Sequence, residues 1–220
     1  MLEIACFNAS SAVAAAKAGA DRIELCVDYT AGGTTPTQDS LRETRVKINI
    51  PVNVMIRPRS GNFIYSEEEF KQMSLEIQML KPAASGFVFG ILDDQNHVDL
   101  ERNRALVGLA APLPCTFHRA FDLVPDFHEA TENIITCGFK SILTSGGMAD
   151  AVSGAGVVGE LWKNFGDRID FILGGGVRST NVESLRQTKI NWYHSAAITK
   201  PGEEVDEEEV VQLQTALKRK

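Results

Sequence analysis

Short apolar runs alternate with longer stretches of helical spacing from one end of the chain to the other. The apolar runs 2–7, 22–26, 51–56, 86–92, 116–122, 141–145, 169–173 and 192–198 read as strands. The stretches between them read as helices. The first, 10–18, opens on serines suited to an N-cap and stops at Gly19. The second follows Pro36-Thr37, and the third opens on Ser66-Glu67-Glu68-Glu69, a capping-box pattern with serine and Glu69 three apart. Later helices fall at 100–110, 126–137, 151–165 and 181–187, the sixth weakened in its first half by Gly154, Gly156 and Gly159. The last starts near Asp206 with acids in its first turn and ends Lys218-Arg219-Lys220, a polarity that complements the helix dipole.

Strand–helix alternation implies parallel strands joined by crossover helices. Eight such pairs without a linker favour closure into one (β/α)8 TIM barrel spanning residues 1–220 over an open doubly wound sheet. Alternation along each strand then sorts side chains between barrel interior and helix layer. Glu3 and Ala5 face inward, and so do Arg22, Glu24 and Cys26. Asn53, Met55 and Arg57 follow, with Arg57 uppermost. Thr116 and His118 also face in, whereas Leu2, Ile4 and Cys6 face the helices. On the eighth strand Trp192, His194 and Ala196 share one face, and the pattern allows either face.

Composition narrows the function. The chain has 220 residues, 44% hydrophobic and 23% charged, with a net charge of −7. That balance opposes a nucleic-acid binder, which needs a basic face. No apolar run approaches the roughly 20 residues that span a bilayer, and the start Met1-Leu2-Glu3-Ile4-Ala5-Cys6 lacks a basic n-region. The four cysteines, Cys6, Cys26, Cys115 and Cys137, form no CxxC pair and read as reduced thiols of a cytoplasmic protein.

The chemistry gathers at strand ends, where barrel enzymes keep theirs. The stretch Thr116-Phe117-His118-Arg119-Ala120-Phe121-Asp122 starts as a strand and turns ionisable at its end. The upper mouth is expected to collect Glu24, Arg57, His118, Asp122, Thr144, Ser145, His194 and Ser195. Glu24, Arg57, His118 and Asp122 are the candidate catalytic groups: an acid, a cation, a base and a second carboxylate. Each has a plainer reading. Glu24 and Arg57 could form a buried ion pair between neighbouring strands, His118 could be a hydrogen-bonded core histidine, and Asp122 could cap a loop. Arg119 is expected to point away and pair locally. Gly174-Gly175-Gly176 leaves the seventh strand toward a helix start, where backbone amides suit a phosphate or carboxylate, or serve only a tight turn. Arg178 could add charge there. No lysine ends a strand, which disfavours Schiff-base chemistry. A small anionic ligand fits this set, with isomerisation, aldol-type cleavage, hydrolysis or binding alone as open alternatives.

Several motifs carry a resemblance. Gly19-Ala20-Asp21-Arg22-Ile23-Glu24-Leu25-Cys26, Gly32-Gly33-Thr34-Thr35-Pro36, Met55-Ile56-Arg57-Pro58-Arg59, the stretch 116–122 and Leu143-Thr144-Ser145-Gly146 resemble, in order, the CutC family of copper homeostasis proteins. The resemblance implies a cytoplasmic (β/α) barrel, often dimeric, associated by name with copper tolerance. It also implies a copper(I) ligand at Cys26, partnered in the family by a cysteine at the position of Ala5. Here that thiol is displaced to Cys6, and a one-residue shift along a strand reverses the face. Cys26 with Met55 is then the local pair of soft ligands suited to Cu(I). The segment after His194-Ser195-Ala196 is also shorter than the loop common in relatives.

Overall fold

The computed structural model describes residues 1–218, so Arg219 and Lys220, expected to end the last helix, lie outside the described residues. The strands are β1 (Leu2–Cys6), β2 (Arg22–Leu25), β3 (Val52–Met55), β4 (Gly86–Phe89), β5 (Cys115–Phe117), β6 (Ser141–Thr144), β7 (Asp170–Leu173) and β8 (Trp192–Ser195). Every strand pairs in parallel with the next, and β8 pairs with β1, which closes the barrel. The helices are α1 (Ala9–Lys17), α2 (Gln38–Lys47), α3 (Glu67–Leu80), α4 (Leu100–Ala110), α5 (Phe127–Cys137), α6 (Ala151–Phe165), α7 (Val182–Leu185) and α8 (Glu207–Lys218). This is the (β/α)8 architecture that the alternation predicts. Among the described residues, no helix is long and apolar enough to cross a membrane.

Side chains at the helix starts satisfy amides that have no partner inside the helix. Ser66 and Glu69 form the capping box in full. Asp99, Asp126 and Asp150 cap α4, α5 and α6. At α1 the cap is Asn8, whose side chain accepts from the Ser11 amide, so the serines expected to cap lie inside the helix. Gly138 ends α5 at φ 96, a left-handed conformation that glycine adopts without steric cost.

Two apolar layers follow from strand alternation. Leu2, Ile4, Cys6, Ile23, Leu25, Val52, Val54, Ile56, Phe87, Phe89 and Phe117 pack outward against the helices in one large buried cluster. A small interior cluster holds Ala5, Phe7, Cys26, Met55, Val88 and Ile198. The inward and outward assignments on β1, β2 and β3 therefore hold, and β8 is settled by Tyr193 packing outward and His194 meeting Glu3 inside.

Three strands stop well short of the expected end, the others within one residue of it. β5 stops at Phe117, and His118 caps a 3-10 helix at Arg119–Leu123 in place of a strand running on to Asp122. β4 stops at Phe89, with Leu92 turning back in an isolated bridge to Val98. β8 stops at Ser195 instead of continuing to Ile198. In each case the chain leaves the sheet to build the mouth.

Candidate functional site

The barrel interior carries a ladder of charge from floor to mouth. Glu3 is the register partner of both Arg22 and His194, one on each side. Arg22 Nε donates to Glu3 Oε2 at 2.6 Å, and its guanidinium lies 3.8 Å from the centre of the Trp192 ring. His194 Nδ1 donates to Glu3 Oε1 at 2.8 Å. The opposite nitrogen, Nε2, lies 3.8 Å from Glu24 Oε2. The Cys26 thiol donates to the same Glu24 oxygen at 3.5 Å. Glu24 Oε1 has no partner among the described residues, although Glu24 is only 3% exposed.

Burial and neighbours set the charge states. Burial pushes Glu24 up, with the Glu3 charge adding to it and the His194 cation opposing it. Burial acts the same way on Glu3, but the bonds and charges of His194 and Arg22 outweigh it and hold Glu3 below the usual carboxylate range. Burial depresses His194, yet the Glu24 and Glu3 carboxylates overcome it and raise its pKa. Burial, then the Glu24 charge, pushes the Cys26 thiol well up.

Above this ladder opens a cavity of about 360 Å3, within the usual size of small-molecule sites. Its lining includes Glu24, Arg57, His118, His194 and Ser195 from the set expected at the mouth, together with the inward-facing Cys26 and with Gly175 and Gly176 of the glycine loop. His118 packs against Phe63 with the two rings tilted by 58° and 4.6 Å between their centres. Its Nδ1 accepts from the Ala120 amide at 3.3 Å, so in the neutral ring the proton sits on Nε2. Nε2 has no partner among the described residues. Burial, then the nearby Arg57 charge, lowers the His118 pKa to about 3, so the ring is neutral at ordinary pH.

Among the described residues Arg57 and Glu24 do not form the buried ion pair that is one of the two readings of them. Glu24 is level with Asn53, which leaves Arg57 four residues higher, roughly 13 Å along the strand. Its guanidinium instead donates to the carbonyls of Ala31, Gly32, Gly33 and Gly61, tying two loops over the mouth.

Asp122 takes its plainer reading and lies outside the lining. Its carboxylate accepts from the hydroxyl of Thr144 and from the amides of Ser145 and Gly147, and so ties the β5 and β6 ends together. Thr144, spent on that bond, also lies behind the wall. Ser145 accepts from Arg119 Nη2 at 2.8 Å and donates to the Met148 carbonyl at 2.7 Å. Gly174 lies beneath the lining, where an added Cβ would sit 2.7 Å from Leu143 Cδ1. The hydroxyl of Ser195 donates to the Val177 carbonyl and accepts from Arg178 at 3.0 Å.

Arg119 is the residue that alternation misplaced. It does pair locally, with Asp122 at 2.8 Å, but it also lines the cavity. The 3-10 turn after His118 breaks the two-residue period, so the side chain after an inward one need not point out. Arg178 lines the cavity too, beside Gly175 and Gly176. Gly175 has φ +101, and an added Cβ would lie 3.0 Å from Ser145 Cβ, so the bare backbone is what lets the two loops approach.

Two donor sets bear on metals. Glu3, Glu24 and His194 each turn one ligand atom to within 4.8 Å of the others. Glu3 is already committed to Arg22 and His194, so a cation there would compete with two charges. For Cu(I), which prefers thiolates, the interior offers Cys26 beside Met55, with Cys6 in the outer layer on the opposite face. The Cys26 thiol is held protonated by burial and by the carboxylate next to it. These residues do not fit a two-thiolate copper site.

Comparison with known proteins agrees with the motifs. The family model described as CutC family matches residues 1–199. The human copper homeostasis protein cutC homolog is 41% identical over 186 residues, covering 84% of this chain and 68% of its own. A family protein CutC of Klebsiella pneumoniae is 40% identical over 198 residues, covering 90% and 80%. A crystal structure of CutC from Streptococcus agalactiae superposes with a TM-score of 0.85 at 31% identity, covering 89% of this chain and 98% of that one. With a family match over nearly its whole length and the same closed barrel, the chain belongs to the CutC family.

Proposed function

We propose that the protein serves copper homeostasis in the cytoplasm, and that its molecular task is to bind a small phosphorylated or carboxylated molecule at the barrel mouth. The first half of that reading comes from the names its relatives carry. The second is supported by one observation above all: three arginines, Arg57, Arg119 and Arg178, line one cavity together with the backbone of Gly175 and Gly176. Arg178 follows β7 and meets Ser195 and the Ile198 carbonyl at and after β8, the customary phosphate region of such barrels, and Arg119 meets Ser145 just after β6. Among the described residues, Glu24 is the one carboxylate in the lining, and it faces the His194 cation. An anion entering from above therefore meets net positive charge in a partly desolvated site, where each charge-assisted hydrogen bond is strong.

The copper role then runs through a metabolite and needs no resident thiolate site. Titration calorimetry with 2-phosphoglycolate, which carries both anionic groups, tests the reading. Binding is expected to weaken about tenfold or more in Arg178→Met. No binding by the wild type, or equal binding by the variant, contradicts it.

A further inference from the structure

Glu24, Arg57 and His118 all line the cavity, and each keeps one buried polar side-chain atom without a partner among the described residues. Those atoms are Glu24 Oε1, Arg57 Nε and His118 Nε2. Buried polar atoms are nearly always paired, and leaving one unpaired costs free energy. Two of the three complement each other chemically. Glu24 Oε1 is an acceptor and His118 Nε2–H a neutral donor.

We propose that the mouth catalyses proton transfer at a carbon next to a carbonyl, in a small phosphorylated or carboxylated substrate, with Glu24 as base and His118 Nε2–H as donor to the carbonyl oxygen. This rests on the anionic-ligand reading above and adds the reaction. The substrate's C–H bond breaks and its proton passes to Glu24 Oε1. The C–H electron pair becomes a C=C bond, and the carbonyl π pair moves onto oxygen. That oxygen becomes enolate-like and takes the His118 hydrogen bond. Return of the proton from Glu24 to carbon restores the carbonyl, so no oxidant, reductant or co-reactant is consumed.

The surroundings suit each role. A neutral imidazole donates a hydrogen bond and is not itself deprotonated by the base, and the 3-10 helix amide on Nδ1 fixes the tautomer. Glu24 is held between the His194 cation and the Cys26 thiol, which orient Oε2 and leave Oε1 free. A carboxylate whose pKa is lifted by burial is also a stronger base than one in water. His194 is a positioning residue, itself held by Glu3 through the opposite ring nitrogen.

Proton NMR in D2O tests the inference. Dihydroxyacetone phosphate and 2-oxobutyrate are the probes, one phosphorylated and one carboxylated, each with C–H next to a carbonyl. The wild type is expected to replace those protons with deuterium at least ~100-fold faster than buffer alone. Glu24→Gln is expected to fall to the buffer rate while keeping the circular dichroism and melting curve of a folded barrel. Glu24→Asp, which withdraws the carboxylate by one methylene, is expected to lose most of the exchange and serves where the glutamine variant does not fold. His118→Gln is expected to slow exchange ~100-fold or more with probe binding retained. Calorimetric binding of a probe without exchange overturns this inference and leaves the ligand reading standing. Exchange at the wild-type rate in Glu24→Gln also overturns it. Neither binding nor exchange with either probe counts against both.

Discussion

His194 Nδ1 meets Glu3 Oε1 at 2.8 Å across the seam where β8 closes against β1. The bond joins residues 191 positions apart, and Arg22 holds the other oxygen of the same carboxylate. Breaking a buried pair leaves an uncompensated charge, so Glu3→Ala is expected to cost roughly 3–5 kcal/mol. Glu3→Gln is expected to cost less, because it keeps hydrogen-bonding atoms in place. Urea unfolding of the two variants checks this.

The same bond has a signed pH dependence. His194 is raised when folded, so its contribution is complete below the unfolded value of 6.5 and fades as pH rises through the folded value. Glu3 is lowered, so its contribution is complete above 4.5 and fades as pH falls through its folded value. The pair therefore stabilises most between those limits. Histidine NMR titration should find His194 above the ordinary range in the wild type and lower in Glu3→Gln.

His118 works the other way. Its pKa falls from 6.5 to about 3 on folding, so below 6.5 the unfolded chain takes up a proton that the folded chain refuses. Stability is expected to fall by up to about 1.4 kcal/mol per pH unit as the pH drops through that window. Glu24, raised on folding, acts with the opposite sign above 4.5. The comparison that isolates His118 is thus wild type against His118→Gln in urea at several pH values. The variant should lack this share of the acid slope, and an unchanged slope would contradict the assignment.

The three glycines in α6 should separate sharply. A Cβ on Gly154 would lie 1.7 Å from the Ser145 carbonyl oxygen, whereas nothing among the described residues lies within 4 Å of one on Gly156 or Gly159. Gly154 is where α6 presses against the end of β6, next to the Arg119–Ser145 contact. Gly154→Ala is expected to destabilise by about 1–3 kcal/mol and to displace the Ser145 loop. Gly156→Ala is expected to stabilise by roughly 0.5–1 kcal/mol through helix propensity. Thermal unfolding of both decides it.

These expectations show which parts of the molecule the sequence made legible. Strand alternation placed Glu24, Cys26, Met55 and Arg57 on the inner face because a regular strand has a strict period of two. It equally placed Cys6 outside. The capping box at Ser66 was legible because it is a purely local pattern. The failures occur where the chain leaves regular structure. The 3-10 turn at Arg119–Leu123 brought Arg119 to the cavity and withdrew Asp122 into loop bonding. The heights of Glu24 and Arg57 depend on strand register, which adjacency on neighbouring strands does not reveal. His194 had an ambiguous face, because β8 carries aromatic side chains on both faces and its polarity pattern does not choose; the partner that decides it, Glu3, is at the far end of the chain.

The central claim is that the mouth is built for a small anion and not for a thiolate-bound copper ion. The most direct measurement is calorimetric titration of Cu(I), delivered from a competing chelator, into the fully reduced protein and into Cys26→Ser. No binding above the chelator, in either protein, is the predicted result: Cys6 lies on the opposite face and the Cys26 thiol is held protonated beside Glu24. Tight equimolar binding that disappears in Cys26→Ser would contradict the account and make the barrel interior a copper site.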